Sequence, residues 1–405
     1  MSDPWLSIIG IGEDGLPGLA PASRGALDAA SEVWGAPRHL ALAGIGADRA
    51  RAWPVPFSLD GVLARRGATG GGAAEAPFPP VAMLVSGDPF WHGAGGSVAA
   101  HLRPGEWRAF PAPSTFSLAT ARLGWRIEDT RCLGLHAAPF ARLRADLAPG
   151  ARAICLMRDG AAPAALAEWL AAQGFGASAL WVLERLGGPG ERIRQATADT
   201  FALTDIAAPV AVAIEVAGAS GLPRAPGLPD SGFAHDGQIT KAPIRALTLG
   251  ALAPRAGALL WDLGAGSGSV AVEWCLAQGR AIAVERRPDR AANIRANAAA
   301  FGVEHRLEVI EGASADMLPG LPPPQAIFVG GGFDAVLFDA LWPHLVPGAR
   351  LVVNAVTLET EALLIGLHAA HGGDLLRIEL ARAAPLGGLT GWQPARPVVQ
   401  WTVTR

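Results

Sequence analysis

The chain has 405 residues, which is longer than one typical hydrophobic core, so its length predicts two or three domains. Half of the residues are apolar, but no apolar run approaches the ~18 residues that span a bilayer, and the formal net charge is −3 without a basic run. This composition argues against a membrane protein and a nucleic-acid partner, and it predicts a cytoplasmic protein with a small-molecule substrate. Three scattered cysteines predict neither a disulfide framework nor a metal site.

The N-terminal segment predicts alternating strands and helices. Trp5–Gly12 is an apolar strand that ends in glycines and runs into a turn opening a helix. Short strands are expected at Ser31–Gly35 and Ala50–Pro54. The stretch Ala64–Pro80 is rich in glycine, alanine and proline, so we expect a loop.

Two polar motifs follow in this part of the chain. The apolar run Val81–Ser86 predicts a buried strand that breaks into GDPFWHGAG at Gly87–Gly95. The stretch Pro111–Trp125 predicts a turn and then a helix, with Ser114 or Thr115 as its N-cap. Further strands are expected at Trp107–Phe110, Ala153–Met157, Ala179–Leu186 and Val210–Val216.

A composition shift divides the chain. Residues 217–232 are rich in glycine and proline and lack periodicity, so they predict a linker. The predicted domains are therefore 1–216, with lobes of about 1–112 and 113–216, and 233–405.

The stretch Leu259–Glu285 carries the clearest chemical signal. An apolar strand ends in Asp262, a helix is expected to open at Ser267, and a second strand stops at Glu285. Between Asp262 and that helix the chain must turn tightly, and a ligand can lie directly against the backbone there. A carboxylate at Glu285 can accept both hydroxyls of a ribose, which predicts a nucleoside ligand. The turn is formed by Gly264, Ala265, Gly266, Ser267 and Gly268.

The spacing of these glycines distinguishes two nucleoside cofactors. Dinucleotide sites carry GxGxxG, whereas this chain has GxGxG behind an aspartate. This pattern resembles the first motif of Rossmann-like S-adenosylmethionine (SAM) methyltransferases, in which Asp262 and the glycines would contact SAM. We therefore favour SAM over NAD.

The rest of this half predicts a doubly wound α/β sheet. The helix Lys241–Leu252 has apolar residues at helical spacing, with Thr240 as its expected N-cap. Helices are then expected at Pro288–Phe301, Asp334–Leu341 and Leu358–His371, and strands at Leu307–Glu311, Ala326–Val329, Arg350–Ala355, Leu375–Ala381 and Val398–Val403.

The N-terminal half resembles the tetrapyrrole methylase family. The opening GIGxxG, the motif GDPxxxG and PSTFSxxxA near Pro113 carry this resemblance, although Glu13 and Asp14 stand where the family has proline and glycine. The resemblance implies a two-lobed fold that binds SAM and methylates tetrapyrrole carbons. For Asp88 the alternative is a structural role, in which its side chain only hydrogen-bonds to the backbone of the turn before a proline. The implied SAM contacts are Gly87, Asp88, Pro89, Ser114 and Thr115, with Met157 a further candidate.

The C-terminal half is similar to the C-terminal half of precorrin-6B (precorrin-6Y) methyltransferases. The motifs HDGQITKAPIR, EGASADML, FVGGG and VVNAVTLET carry this similarity. It implies methylation of carbon 15 with loss of the ring C acetate carboxyl, while the N-terminal domain methylates carbon 5. It also implies one SAM site per domain and a homo-oligomer. The SAM contacts implied here are Thr240, Gly264–Gly268, Glu285, Gly312 and Ala313.

Five residues are candidates for contact with the substrate. Lys241, the single lysine of the chain, and Arg245 lie four residues apart and share a helix face, where they could bind carboxylates or only face solvent. His235 and Asp236 could supply a proton or cap the following helix. Asn354 ends a strand, where α/β sheets place ligands, or it serves a turn.

Two other functions remain open from the sequence. A methyltransferase acting on RNA would carry a basic stripe, which the composition lacks. A non-catalytic scaffold role for one half conflicts with SAM motifs in both halves. One SAM bound per chain instead of two would favour the scaffold.

Overall fold

The computed structural model describes residues 4–67 and 80–405, and it divides into two compact units. The first unit comprises Met1–Ala138 and Ala148–Ser220, and the second comprises Pro139–Leu147 and Gly221–Arg405. Residues 68–79 of the predicted loop Ala64–Pro80 lie outside the described residues, and residues 64–67 are helical. No helix in the described ranges is long and apolar enough to cross a membrane.

The first sheet of the N-terminal unit is parallel throughout, in the order β3-β2-β4-β1-β5. Both of its faces are covered, since the neighbours Ile8 and Ile9 are each fully buried and belong to different clusters of apolar side chains. Its strands are β1 (Leu6–Ile11), β2 (Glu32–Gly35), β3 (Ala50–Ala52), β4 (Val81–Ser86) and β5 (Trp107–Phe110). Its helices are α1 (Pro21–Ala29), α2 (Pro37–Leu42), α3 (Asp60–Gly67) and α4 (Ala94–Ala99).

The second sheet of this unit is mixed, in the order β6-β7-β10-β8-β9. Sequence patterns did not predict β6 and β9, which form the two edges, because edge strands carry few apolar residues. Helix α5 begins as expected, since the Ser114 hydroxyl accepts a hydrogen bond from the Ser117 N–H. The elements are α5 (Thr115–Leu123), β6 (Thr130–Gly134), β7 (Arg152–Leu156), α6 (Ala162–Ala172), β8 (Ala179–Glu184), β9 (Arg192–Thr197) and β10 (Val210–Glu215).

The C-terminal unit contains the predicted doubly wound sheet, in the order β13-β12-β11-β14-β15-β19-β16. Leu260 and Trp261 are both fully buried on opposite faces of the central strand. The strands are β11 (Leu259–Leu263), β12 (Arg280–Glu285), β13 (Leu307–Glu311), β14 (Ala326–Val329), β15 (Arg350–Ala355), β16 (Asp374–Ile378) and β19 (Val398–Thr404). The helices are α7 (Ala242–Leu252), α8 (Ser269–Leu276), α9 (Pro288–Ala300), α10 (Ser314–Met317), α11 (Ala335–Leu341) and α12 (Leu358–His371).

Three features of this unit differ from the predictions. Helix α7 has Lys241 as its N-cap, without a side-chain hydrogen bond, so the prediction that Thr240 caps it is wrong. Helix α8 begins at Ser269 instead of Ser267, because Gly268 adopts a left-handed conformation with φ of 69°. An unpredicted hairpin joins β17 (Ala381–Leu386) to β18 (Leu389–Pro394).

Two candidate active sites

The larger cavity lies in the C-terminal unit, at the carboxyl ends of its parallel strands. Its volume is about 1420 Å³. This exceeds the roughly 300–1,000 Å³ of pockets for one drug-sized ligand, so it has room for a nucleoside and a second large molecule. The order of strands reverses between β11 and β14, and open α/β sheets bind ligands at such a switch point. The lining includes Gly264, Ala265, Gly266, Glu285, Gly312, Ala313, Thr240, Lys241 and Asn354.

The glycine turn and Glu285 form the floor of this cavity. The Gly266 N–H donates to one oxygen of Glu285 at 2.8 Å, and the Arg287 N–H donates to the other at 2.9 Å. Each carboxylate oxygen keeps a further lone pair for a ligand. A Cβ at Gly264 would lie 2.9 Å from the Gly331 oxygen, so a side chain would close the gap between the two glycine loops. These features fit the predicted SAM molecule.

Three of the predicted contacts lie beneath this floor and do not line the cavity. Asp262 is buried, and one of its oxygens accepts a hydrogen bond from the Ala271 N–H in helix α8 at 3.2 Å. Burial raises the pKa of Asp262 to about 7, and the Glu285 carboxylate adds to the rise. Ser267 is also buried, and a Cβ at Gly268 would lie 2.6 Å from Ile294. These residues fix the shape of the turn.

Lys241 and Arg245 lie in different environments, contrary to the expectation that they share a substrate-facing surface. Lys241 is more than half exposed and lines the cavity. Arg245 is fully buried because α7 turns its face toward α8, where its guanidinium bonds to Glu273 at 2.5 Å and Asp230 at 3.0 Å. Carbonyl groups of Leu228 and Thr240 also accept from it. Arg245 therefore holds this unit together and does not face a substrate.

His235 and Asp236 do not line the cavity. The His235 Nδ1 accepts a hydrogen bond from the Gly237 N–H, and Asp236 accepts from the Gln238 N–H and from Arg290 at 2.9 Å. The Gln238 N–H and Arg290 lower the pKa of Asp236. Both side chains stabilise a turn, so neither one is placed to deliver a proton to the cavity.

Asn354 lines the cavity from within β15, so it does not serve a turn. Its amide nitrogen donates to the Thr248 hydroxyl at 2.9 Å, and its oxygen accepts from Gln400 at 2.9 Å. All three side chains are buried. The amide thus connects α7, β15 and β19 at the wall of the cavity.

Sequence reasoning missed four arginines that line the cavity, two of which are Arg286 and Arg290. Arg382 on β17 and Arg396 beyond β18 line it, and both side chains are exposed. Neither guanidinium has a hydrogen-bond or ion-pair partner among the described residues. The two-residue turn Gly387–Gly388 could have indicated this hairpin, since paired glycines between strands are a hairpin signal. Together with Lys241, these arginines give the cavity a positively charged rim.

The smaller cavity lies in the N-terminal unit and has a volume of about 510 Å³. Asp88, Ser114 and Thr115 line it, as the predicted contacts with SAM require. Ser114 and Thr115 begin helix α5, where free N–H groups can bind a polar ligand. Asp88 also accepts a hydrogen bond from the Phe90 N–H at 2.8 Å, so the turn role and the cavity position coexist. Its volume lies within the range of roughly 300–1,000 Å³ that is usual for a pocket holding one small ligand.

The other predicted contacts of this unit do not line the cavity. Gly87 has a φ of 55°, and its carbonyl would lie 1.9 Å from a Cβ on Gly10, so two chain segments meet there without side chains. Pro89 and Met157 are buried, and the Met157 N–H is used in a hydrogen bond to Val210. Gly87, Pro89 and Met157 therefore belong to the structure around the cavity and do not face it.

The altered first loop has a clear structural explanation. Glu13 accepts a hydrogen bond from Arg38, which also donates to Ser86 at 3.0 Å. Cβ atoms on Gly12 and Gly18 would both fall within 3 Å of the Asp14 carboxylate, so these glycines make room for it. No group of His, Cys, Asp and Glu side chains within the described ranges could hold a metal ion.

Comparisons with known proteins match both halves. The family described as "Tetrapyrrole (Corrin/Porphyrin) Methylases" matches residues 6–202, and that described as "Precorrin methyltransferase domain" matches residues 231–405. A Sinorhizobium protein named precorrin-6Y C(5,15)-methyltransferase [decarboxylating] is 48% identical over 99% of this chain and 97% of its own. The chain belongs to this family. A member from Mycobacterium tuberculosis is 41% identical over 99% of this chain and 100% of its own.

A shorter relative is also informative. A Pyrobaculum aerophilum protein named probable cobalt-precorrin-6B C(15)-methyltransferase (decarboxylating) is 35% identical over 43% of this chain and 93% of its own. As a member of the precorrin-6Y C(5,15)-methyltransferase family, the chain is an enzyme and a methyltransferase, and its family implies the use of SAM. The predicted fold class, a tetrapyrrole methylase domain followed by a Rossmann-like methyltransferase sheet, is confirmed.

Proposed function

We propose that this enzyme acts on precorrin-6B (precorrin-6Y) in cobalamin biosynthesis. It transfers methyl groups to carbons 5 and 15, removes the carboxyl of the ring C acetate and releases precorrin-8X. The observation that carries the proposal is the C-terminal cavity, which joins a glycine and carboxylate floor to a cationic rim. A flat macrocycle with many carboxylate side chains is complementary to such a site.

The two reactions are assigned to separate domains. The C-terminal domain methylates carbon 15 and decarboxylates, and the N-terminal domain methylates carbon 5, so each domain binds one SAM molecule. A separate cavity in each unit supports this division. The shorter relative named for carbon 15 alone also supports it, because one domain-sized chain carries that name.

The residues of the C-terminal cavity would act mainly by orientation. When SAM is bound, its sulfonium supplies an electrophilic methyl group. Lys241, Arg382 and Arg396 bind the carboxylates of the substrate and hold its reacting carbon in line. The macrocycle accepts the electrons left by carbon dioxide, so the protein needs to supply only a proton. We assign this donation to Lys241, because Lys241 lines the cavity and His235 does not.

Gly330–Gly332 leave space for the macrocycle. A Cβ on Gly331 or Gly332 would meet nothing within 4 Å, so these residues form an open wall. Val336 and Val356 line the same cavity and are 72% and 60% exposed. They offer an apolar surface to the face of a planar ring, while the cations bind its edge.

The active form is proposed to be a homo-oligomer. The hairpin β17–β18 exposes Leu386, Leu389 and Trp392, whose exposed fractions are 69%, 80% and 77%. A second copy of the chain would cover these apolar side chains. Sedimentation of the purified enzyme tests this, since a Trp392→Glu substitution is expected to shift it to a smaller species.

The mass of the product tests the assignment of chemistry to domains. The full chain should add two methyl groups and lose carbon dioxide. The Glu285→Ala chain should add one methyl group and keep the carboxyl, because only the C-terminal floor is damaged. Glu308→Ala, an exposed carboxylate on β13, serves as control and should behave as wild type. Loss of the carbon 5 methyl group in Glu285→Ala, or two methyl groups in its product, would refute the assignment.

A further inference from the structure

Three histidines line the N-terminal cavity beside the predicted SAM contacts. His39, His92 and His136 come from helix α2, the loop after β4 and the loop after β6. They surround the same space as Ser114 and Thr115. None of the three is among the predicted contacts with SAM, so another role is open to these imidazoles.

His92 occupies an unusual position in this group. Its φ of 58° lies in the left-handed region, which few residues other than glycine adopt. Its ring and that of His136 pack over Gly134, because a Cβ there would lie 2.9 Å from the His92 Nδ1 and 3.2 Å from the His136 Cε1. The left-handed backbone of His92 and the absence of a side chain at Gly134 thus allow the two imidazoles to lie close together.

A neutral His92 imidazole has a lone pair on one ring nitrogen, because only one of its two nitrogens carries a proton. The backbone of Cys132 lies near the ring and opposes the effects of burial and of His136 on its pKa. Partial burial and the nearby His136 lower the pKa of His92. Its imidazole is therefore neutral near neutral pH and able to accept a proton.

The other titratable groups of this cavity are less suited to this task. The His39 Nε2 lies 2.9 Å from the Ser86 hydroxyl, and burial lowers the pKa of His39 to about 4. Asp88 accepts a hydrogen bond from the Phe90 N–H. Cys132 lies outside the lining of the cavity, and burial raises the pKa of its thiol to about 11. His136 is exposed, with its ring beside that of His92.

We propose that His92 is the base that removes the proton from the carbon methylated in the N-terminal cavity. This inference rests on the proposed assignment of carbon 5 methylation to that domain. The carbon–methyl bond forms as the sulfur–methyl bond breaks, and that electron pair stays on sulfur. The bridge carbon still carries its hydrogen. Its C–H bond then breaks, the electron pair restores the conjugated double bond, and the proton moves to the His92 nitrogen that carries the lone pair.

Two substitutions separate this role from a structural one. Asparagine tolerates the left-handed backbone, so His92→Asn keeps the fold but cannot accept a proton at neutral pH. His92→Gly removes the strain and leaves space for added imidazole. The matched control is His101→Gln, an exposed histidine of the same unit that does not line the cavity.

The measurement is the rate of carbon 5 methylation by the full chain, followed by product mass across a range of pH. His92→Asn should lower it about 100-fold and abolish the loss of rate that wild type suffers as pH falls through the pKa of His92. Imidazole should restore His92→Gly, and substrate deuterated at carbon 5 should give a larger isotope effect in His92→Asn than in wild type. Methylation at carbon 15 should continue in both variants.

Binding supplies a second readout. Calorimetry should give the wild-type number of SAM molecules per chain for His92→Asn and His101→Gln. A wild-type rate in His92→Asn, no rescue by imidazole, or loss of SAM binding would overturn the role as base. The domain assignment itself is tested separately, because it fails if Glu285→Ala loses the carbon 5 methyl group while His92→Asn retains it.

Discussion

The two cavities differ in the groups that they present. The C-terminal cavity has a carboxylate on its floor and cations at its rim, whereas the N-terminal cavity has hydroxyls, imidazoles and one aspartate. Both lie where strands of a sheet end in glycine-containing turns. The comparison teaches that the fold supplies the place for a ligand, and that the side chains around it determine the chemistry.

The largest expected effect is that of replacing Arg245. This residue is a structural charge of the C-terminal unit, whereas Lys241 is proposed to bind the substrate. Arg245→Met leaves Glu273 buried without its cation, so the free energy of unfolding should fall by about 3–5 kcal/mol. Lys241→Met removes an exposed charge and should change it by less than about 0.5 kcal/mol. Denaturant unfolding of the two variants checks this, and equal losses would show that our distinction between them is wrong.

The cationic rim gives the next largest effect. Replacing both Arg382 and Arg396 by Gln should raise the KM for the tetrapyrrole about 100-fold, because two guanidinium–carboxylate interactions of about 1.5 kcal/mol each, at exposed side chains, add up to about 3 kcal/mol. The affinity for SAM should stay unchanged, since neither residue belongs to the floor. Arg377→Gln, on the neighbouring strand β16 and outside the cavity, is the control. Unchanged kinetics in the double variant would remove these arginines from the substrate site.

The third prediction is a pH dependence due to Asp262. Its pKa in the folded protein, about 7, lies above the ordinary 3.8, so folding favours the protonated carboxyl. The stability that this group contributes is complete below pH 3.8 and is lost as pH rises to about 7. Asp262→Asn cannot ionise, so the stability of wild type relative to this variant should fall over that window. Parallel unfolding curves at all pH values would contradict the shift.

Much of the C-terminal site could be predicted from sequence, because it depends on local patterns. The turn after β11 and the acid at the end of β12 are encoded within one stretch, and Glu285 and Gly266 lie where the motif predicts. The burial of Arg245 could not be predicted. Helical spacing predicts the face of helix α7 on which Arg245 lies. Its burial depends on Glu273 and Asp230, which are distant in sequence.

The N-terminal cavity was less predictable for a similar reason. Ser114 follows from its capping pattern, which is local. His92 and His136 are separated by two strands, and only the packing of both rings over Gly134 brings them together. The hairpin that carries Arg382 lacks the alternation of a half-buried strand, since its side chains are mostly exposed.

The central claim is that each unit holds its own methyl-donor site. Calorimetric titration of the full chain with SAM tests it most directly. We predict two molecules bound per chain in wild type and one in Glu285→Ala. One molecule bound by wild type and none by Glu285→Ala would contradict the claim and leave the N-terminal unit without a methyl donor.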